Sequence, residues 1–195
     1  MSKKYVVNLC VSGVFAALFF GLEMLSTHFS VPLFAHKIEL PVSSIALCVV
    51  ALQCGPLWGG ATALVGGFLA QLWSPYGLAP TTPLWIVPAV CQAIVIGLLY
   101  RAFKVRQNYF TALLSILIGQ FVLTLLNSAA IWCDGKIYGY PTDIISIVLV
   151  LRLAAGSVAA IAFAALCQPM LKTLKHRQKA SRVKKRLHVE VKSFM

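Results

Sequence analysis

Long apolar runs, broken by short polar or glycine- and proline-rich stretches, organise the chain from Tyr5 onward. None of them alternates strictly between apolar and polar residues, as a half-buried strand would. Several are long enough to cross the hydrocarbon core of a bilayer, which takes about 20 residues of helix. The pattern predicts six spans, at about Tyr5–Leu25, Ile38–Leu52, Leu57–Trp73, Leu84–Tyr100, Tyr109–Cys133 and Thr142–Leu171. Pro41 falls in the first turn of the second span, where proline is tolerated. The interruptions are the mixed stretch Ser26–His36, the turn Gln53–Pro56, Ser74–Pro83 with three prolines and a glycine, the polar Arg101–Asn108, and Asp134–Pro141. Strands are not expected, because an isolated strand leaves its backbone groups unsatisfied in lipid.

Composition points the same way. Of 195 residues 59% are hydrophobic and 11% charged, against about 25% charged in a soluble domain; mean hydropathy is +0.85. Too little polar surface is present for a cytosolic globule, a secreted disulfide scaffold or a disordered tail. The expected architecture is an all-α integral membrane protein. Six transmembrane helices form one compact bundle over residues 1–171, and a basic tail follows over 172–195. Lys3 and Lys4 precede an apolar stretch, as in a signal peptide. The run is too long for a signal core and no small-x-small cleavage site ends it, so it reads as a retained first helix. Cys10, Cys48, Cys54, Cys91, Cys133 and Cys167 stand singly, with no CxxC pair, and read as free thiols packing as small hydrophobes.

The formal net charge of +12 is unevenly placed. Lys3, Lys4, Arg101, Lys104, Arg106 and nine residues of the tail, 14 of the 17 lysines and arginines, fall on one side of a six-span topology. The positive-inside rule then puts both termini in the cytoplasm. Through Leu171 there are eight basic residues against four acidic ones, and nine against one in the tail. That tail is either a solvated end that marks topology or a contact for anionic headgroups or an acidic partner. No recognition motif accompanies it, so nucleic acid is not an expected partner.

Small residues recur at helical spacing in the first span, Gly13, Ala17 and Gly21, and in the third, Gly55, Gly59, Ala63 and Gly67. Such stripes serve either packing inside the bundle or docking to another membrane protein. Polar residues inside spans are costly and are candidates for function. They are Glu23, Gln71, Gln92, the pair Gln120 and Asn127 on roughly one face of the fifth span, and Arg152. Arg152 precedes Lys172 by 20 residues, about one bilayer thickness of helix, which puts it at the outer boundary. There it either pairs with Glu23, Glu39 or Asp143, or clamps a ligand carboxylate. Trp73, Tyr76 and Trp85, with Trp132, Tyr138 and Tyr140, cluster at the same level, as an interfacial belt or as a stacking pocket for a planar heterocycle. The opposite side has only Trp58 and Tyr100. The candidate ligand-binding set is thus Glu23, Gln71, Tyr76, Trp85, Gln92, Asn127, Trp132 and Arg152. No Walker A or HExxH sequence occurs, no GxSxG accompanies a suitable histidine, and the four histidines lie in loops or tail. An enzyme is therefore not expected, nor a metal site.

Several fragments together resemble a known family. Gly13-Val14-Phe15-Ala16-Ala17-Leu18 resembles its first-helix ALxxAL pattern, and Gly55-Pro56-Leu57-Trp58-Gly59-Gly60 its GPxxGA turn. Ser74-Pro75-Tyr76-Gly77 resembles the following loop, Leu126-Asn127-Ser128 the fifth-helix LNT, and Leu151-Arg152-Leu153 the arginine opening the last helix. The family is the substrate-binding S component of energy-coupling-factor (ECF) vitamin transporters, with the folate-type branch nearest; Gln71 stands where that branch usually carries aspartate. The resemblance implies a six-helix protein of the bacterial cell membrane that binds a vitamin or similar small molecule on its outer side. It implies docking, through Gly13, Ala17 and Gly21, onto a transmembrane scaffold served by two ATPase subunits. ATP is then used by those partners, and no cofactor belongs to this chain. The competing expectation is a membrane scaffold or accessory subunit with no ligand of its own.

Overall fold

The computed structural model describes residues 3–28, 31–33, 36–38, 41–74, 77–103, 108–139 and 149–169. Tyr76, Glu39, Tyr140, Asp143 and the basic tail lie outside them. Among the described residues the chain forms α1 (Lys3–His28), a short hairpin of β1 (Val31–Leu33) and β2 (His36–Ile38), then α2 (Ser44–Gln53), α3 (Pro56–Leu72), α4 (Thr82–Ala102), α5 (Tyr109–Tyr138) and α6 (Leu149–Pro169). Four of these, α1, α4, α5 and α6, are long and apolar enough to cross a membrane.

Three elements differ from the sequence expectation. The strands pair antiparallel, Val31 with Ile38 and Leu33 with His36. Lipid forbids an isolated strand, but here two short strands satisfy each other just beyond the end of α1. Ile38, expected to open the second span, belongs to β2 instead, Pro41–Ser43 form a turn, and α2 begins at Ser44. Its lead-in is a tight turn, in which the N–H groups of Ser44 and Ile45 bond to the carbonyls of Pro41 and Val42 at 3.1 and 3.2 Å. Ten residues of helix rise about 15 Å, half a hydrocarbon core, so α2 does not cross alone. Finally, α5 runs past Cys133 to Tyr138 and stops at Gly139, whose φ of 75° closes the helix with its N–H on the carbonyl of Gly135.

A helix that is apolar all round belongs inside, and α2 is nearly enclosed, with every residue from Ala46 to Leu52 buried. One side of it packs with Ile96 of α4, Ile116 of α5 and Phe163 of α6. The other meets Phe19 of α1, Ala63 of α3 and Ala93 of α4. All six cysteines are free. Cys48, Cys54 and Cys167 are buried as small hydrophobes, whereas Cys10 is exposed on α1.

Glycines set the helix separations. A Cβ on Gly97 would lie 2.6 Å from the backbone nitrogen of Pro56, and one on Gly119 would collide with Ile96. Gly59 and Gly66 of α3 likewise face Ala51 and the carbonyl of Ala16, so the α3 stripe serves packing inside the bundle. The stripe on α1 does not. That helix packs through Ser12, Ala16 and Phe19, with the Ser12 and Thr62 hydroxyls 2.6 Å apart. Gly13 and Ala17 are exposed, and nothing lies within 4 Å of a Cβ built on Gly13 or Gly21. At the other end of the bundle from the hairpin, Arg101 donates to the carbonyl of Cys54 at 2.9 Å. It fills the space beside Gly55, whose φ of 97° demands glycine.

This packing predicts that Gly97→Val destabilises the protein by about 1–3 kcal/mol or more, because backbone cannot yield as a side chain can. Gly13→Ala, at an open position, leaves stability unchanged or slightly raised. Thermal unfolding in detergent separates the two.

Candidate ligand-binding site

Successive helices run in alternating directions, so α1, α3 and α5 bring their later residues to the end of the bundle where α2, α4 and α6 begin. Between them lies a cavity of about 170 Å³. Phe19, Glu23 and Ser26 of α1 and Gln71 of α3 line it. The turn into α2 contributes Pro41 and Ser43, and α2 itself Ser44. Trp85 and Ala89 come from α4, Gln120, Leu123, Thr124 and Asn127 from α5, and Arg152 and Gly156 from α6.

Local sequence explains these placements. Gln120, Thr124 and Asn127 recur at intervals of four and three and so form one stripe on α5. The Thr124 hydroxyl is turned back onto its own helix, donating to the Gln120 carbonyl at 2.9 Å. Gly156 lets α6 lie against this stripe, its Cβ position 3.7 Å from Thr124 Oγ1 and 3.9 Å from Gln120 Cβ. Trp85 and Arg152 each occupy the fourth residue of their helix.

Electrostatically the cavity is mixed. Glu23 supplies a carboxylate and Arg152 a guanidinium, and both line the same space. The first turns of α2 and α4, which carry no acidic residue, contribute Ser44 and Trp85 to its lining. The N–H groups of Ser44, Ile45 and Ala46, and those of Thr82 and Leu84, are taken up by carbonyls of the preceding turns, so these helix starts contribute only their dipoles.

Hydrogen-bonding capacity is left over at depth. Gln120 is 3% exposed, and among the described residues neither its Nε2 nor its Oε1 has a partner. Gln92 is fully buried; its Oε1 accepts from Ser44 Oγ at 3.3 Å, and its Nε2 has no partner among the described residues. Leaving such a group unmade costs about 1–3 kcal/mol.

A family profile described as the ECF-type riboflavin transporter S component matches residues 3–176. The chain belongs to that family. It is thus a transporter subunit and not an enzyme, a multi-pass membrane protein whose family works with a scaffold and ATPases. The branch that matches is the riboflavin one; the folate-type branch suggested by the motif fragments is not supported. Among solved structures, that of the S component for biotin from an ECF-type ABC transporter shares the fold, with a TM-score of 0.68 at 16% identity, covering 88% of this chain and 95% of the other. No sequence among curated proteins matches.

In this S component the cavity gathers Glu23, Gln71, Trp85, Asn127 and Arg152 of the expected set. Two others do not line it. Gln92 lies one layer behind, reaching the cavity only through Ser44. Trp132 is 52% exposed on α5, with Lys136 Nζ 5.8 Å from its ring centre. One helical turn separates those two residues, which draws the indole outward along its own helix. Tyr76 lies outside the described residues. Sequence reasoning left Ser43, Ser44, Thr124 and Gln120 out of the set. The Gln120-Thr124-Asn127 stripe carried a readable signal in its spacing, whereas Ser43 and Ser44 were hidden by the misplaced start of α2.

Proposed function

We propose that this S component is the binding subunit for riboflavin, or a flavin very close to it, in an ECF importer. The supporting observation is the cavity within a riboflavin-family chain. It combines an aromatic face at Trp85 and Phe19 with a wall of amides and hydroxyls at Gln71, Gln120, Thr124, Asn127 and Ser43. A flat apolar ring system stacks on the first, and a polyhydroxylated chain with ring carbonyls hydrogen-bonds with the second. The Arg152 guanidinium suits the electron-rich carbonyls. An accessory subunit without a ligand would fill this space with side chains, so the open, polar cavity tells against that reading.

The remaining parts of the importer follow on the same reading. The chain crosses the membrane six times with both termini in the cytoplasm, as the lysine and arginine distribution favours. The cavity then faces outward and the basic tail inward, against anionic headgroups. Gly13, Ala17 and Gly21 form the docking face for the transmembrane scaffold, because α1 leaves them uncovered. ATP is hydrolysed by the partner ATPases, and this chain holds no cofactor.

Titration of purified protein with riboflavin, followed by quenching of flavin fluorescence, is expected to give tight binding that folate, biotin and thiamine do not match. No quenching by riboflavin overturns the reading. Trp85→Ala and Arg152→Ala are each expected to weaken it about 10- to 100-fold, while Trp132→Ala leaves it unchanged. For the docking face, Gly13→Trp and Ala17→Trp are expected to abolish cellular uptake with binding retained. Undiminished uptake in both removes the docking assignment.

A further inference from the structure

We propose that the Gln120 side chain reads a cis-amide edge of the ligand, a ring N–H beside a ring C=O. Oε1 accepts from the N–H and Nε2 donates to the carbonyl. The inference deepens the flavin reading and rests on the cavity being the ligand site.

Gln120 is 3% exposed, lines the cavity, and has neither amide atom partnered among the described residues. It lies 11 residues from the start and 18 from the end of a 30-residue helix, in the middle of the span, where bulk water does not reach. A bundle gains nothing from an amide held there with donor and acceptor both unmade. Ile or Leu would pack as well, without the penalty. An amide offers its donor and acceptor side by side in one plane. A planar partner with the complementary pair meets both in a single approach, as glutamine meets the adenine edge in nucleic-acid recognition. A ribityl chain, with rotating hydroxyls on tetrahedral carbons, has no such fixed pair. The isoalloxazine ring does, at its N3–H and the adjoining carbonyls.

The surroundings hold the amide in place for this task. Gly156 of α6 comes within 3.9 Å of Gln120 Cβ, measured from a Cβ built on the glycine, so the stem is confined from that side. Gln92 packs against α5 at Gly119, with its Cγ 3.5 Å from a Cβ built there. Its Oε1 accepts the Ser44 hydroxyl proton, which leaves Ser44 Oγ with lone pairs to offer the cavity. Gln92 is therefore a positioning residue that acts through Ser44, and the deep end of the cavity presents acceptors toward a ring N–H.

The test compares riboflavin with N3-methylriboflavin, both titrated into the full-length protein by fluorescence quenching. The wild-type protein is expected to bind the methylated compound at least about tenfold more weakly, since the N–H is gone. Gln120→Met keeps the shape and removes the amide. It is expected to lose about 10- to 100-fold in riboflavin affinity, with N3-methylriboflavin little changed, so that the ratio falls to near one. Equal binding of the two flavins by the wild-type protein overturns the edge assignment and leaves the flavin reading standing; that comparison needs no variant. A Gln120→Met protein that keeps the wild-type ratio also overturns it, and assigns the edge to another residue or the amide to a bound water. A wild-type protein that binds neither flavin overturns both.

Discussion

Close approach of helix backbones is the constraint on which this bundle depends. Inside a bilayer the lipid is as apolar as leucine, so helices gain little by hiding apolar side chains from it and associate through contact. Contact needs small residues at the crossing points. Gly97 against Pro56, Gly119 against Ile96, Gly59 against Ala51 and Gly66 against Ala16 meet that need among α1 to α5. The short helix α2 can be enclosed only because its neighbours come so near. With α2 enclosed, the turn that precedes it lies within the bundle, and that turn forms part of the cavity wall.

Polar groups follow a complementary rule. Most are satisfied locally, by bonding back to a carbonyl one turn earlier, as Ser115 does with Thr111 and Ser128 with Thr124 at 2.7 and 2.9 Å. Ser12 and Thr62 satisfy each other across α1 and α3. The amides of Gln92 and Gln120 depart from the rule; Gln120 lines the cavity and Gln92 lies one layer behind it, bonded to Ser44. A low-charge membrane body thus keeps both of its buried, incompletely bonded glutamine amides at or just behind the cavity, with Asp134 Oδ1 on the later part of α5 as the other such group among the described residues. The opposite requirement holds on the outside of α1, where Gly13 and Ala17 present bare backbone. The ligand chemistry and the smooth partner-facing surface therefore occupy different parts of the protein.

Much of this was readable from the chain alone. Length, apolar content and the polar breaks imply a helical membrane bundle, because a run of that length has few other stable states in lipid. The ends of α3, α4 and α1 lie within three residues of the expected limits, since Pro56, Pro83 and the basic Lys3–Lys4 pair mark them locally. Glu23, Gln71, Trp85, Asn127 and Arg152 stood out as polar or amphipathic groups at one level, and their shared level is what brings them to one cavity. The family followed from short motifs; they suggested the folate-type branch, whereas the family profile that matches is the riboflavin one.

Other features needed the folded chain. The hairpin at 31–38 and the late start of α2 escaped notice because hydropathy does not distinguish a short apolar helix from apolar residues spent on a strand and turn. The spacing of Gly13, Ala17 and Gly21 matches that of the α3 stripe, yet one is bare and the other buried; only the arrangement of neighbours separates them. Trp132 has the right depth and residue type for the cavity, but its azimuth on α5 carries it outward to Lys136. Depth along a helix is set by residue number and so is written in the chain. Azimuth relative to other helices, and with it the choice between cavity wall, core and lipid-facing surface, arises only when all six pack together, because each helix is apolar on nearly every side.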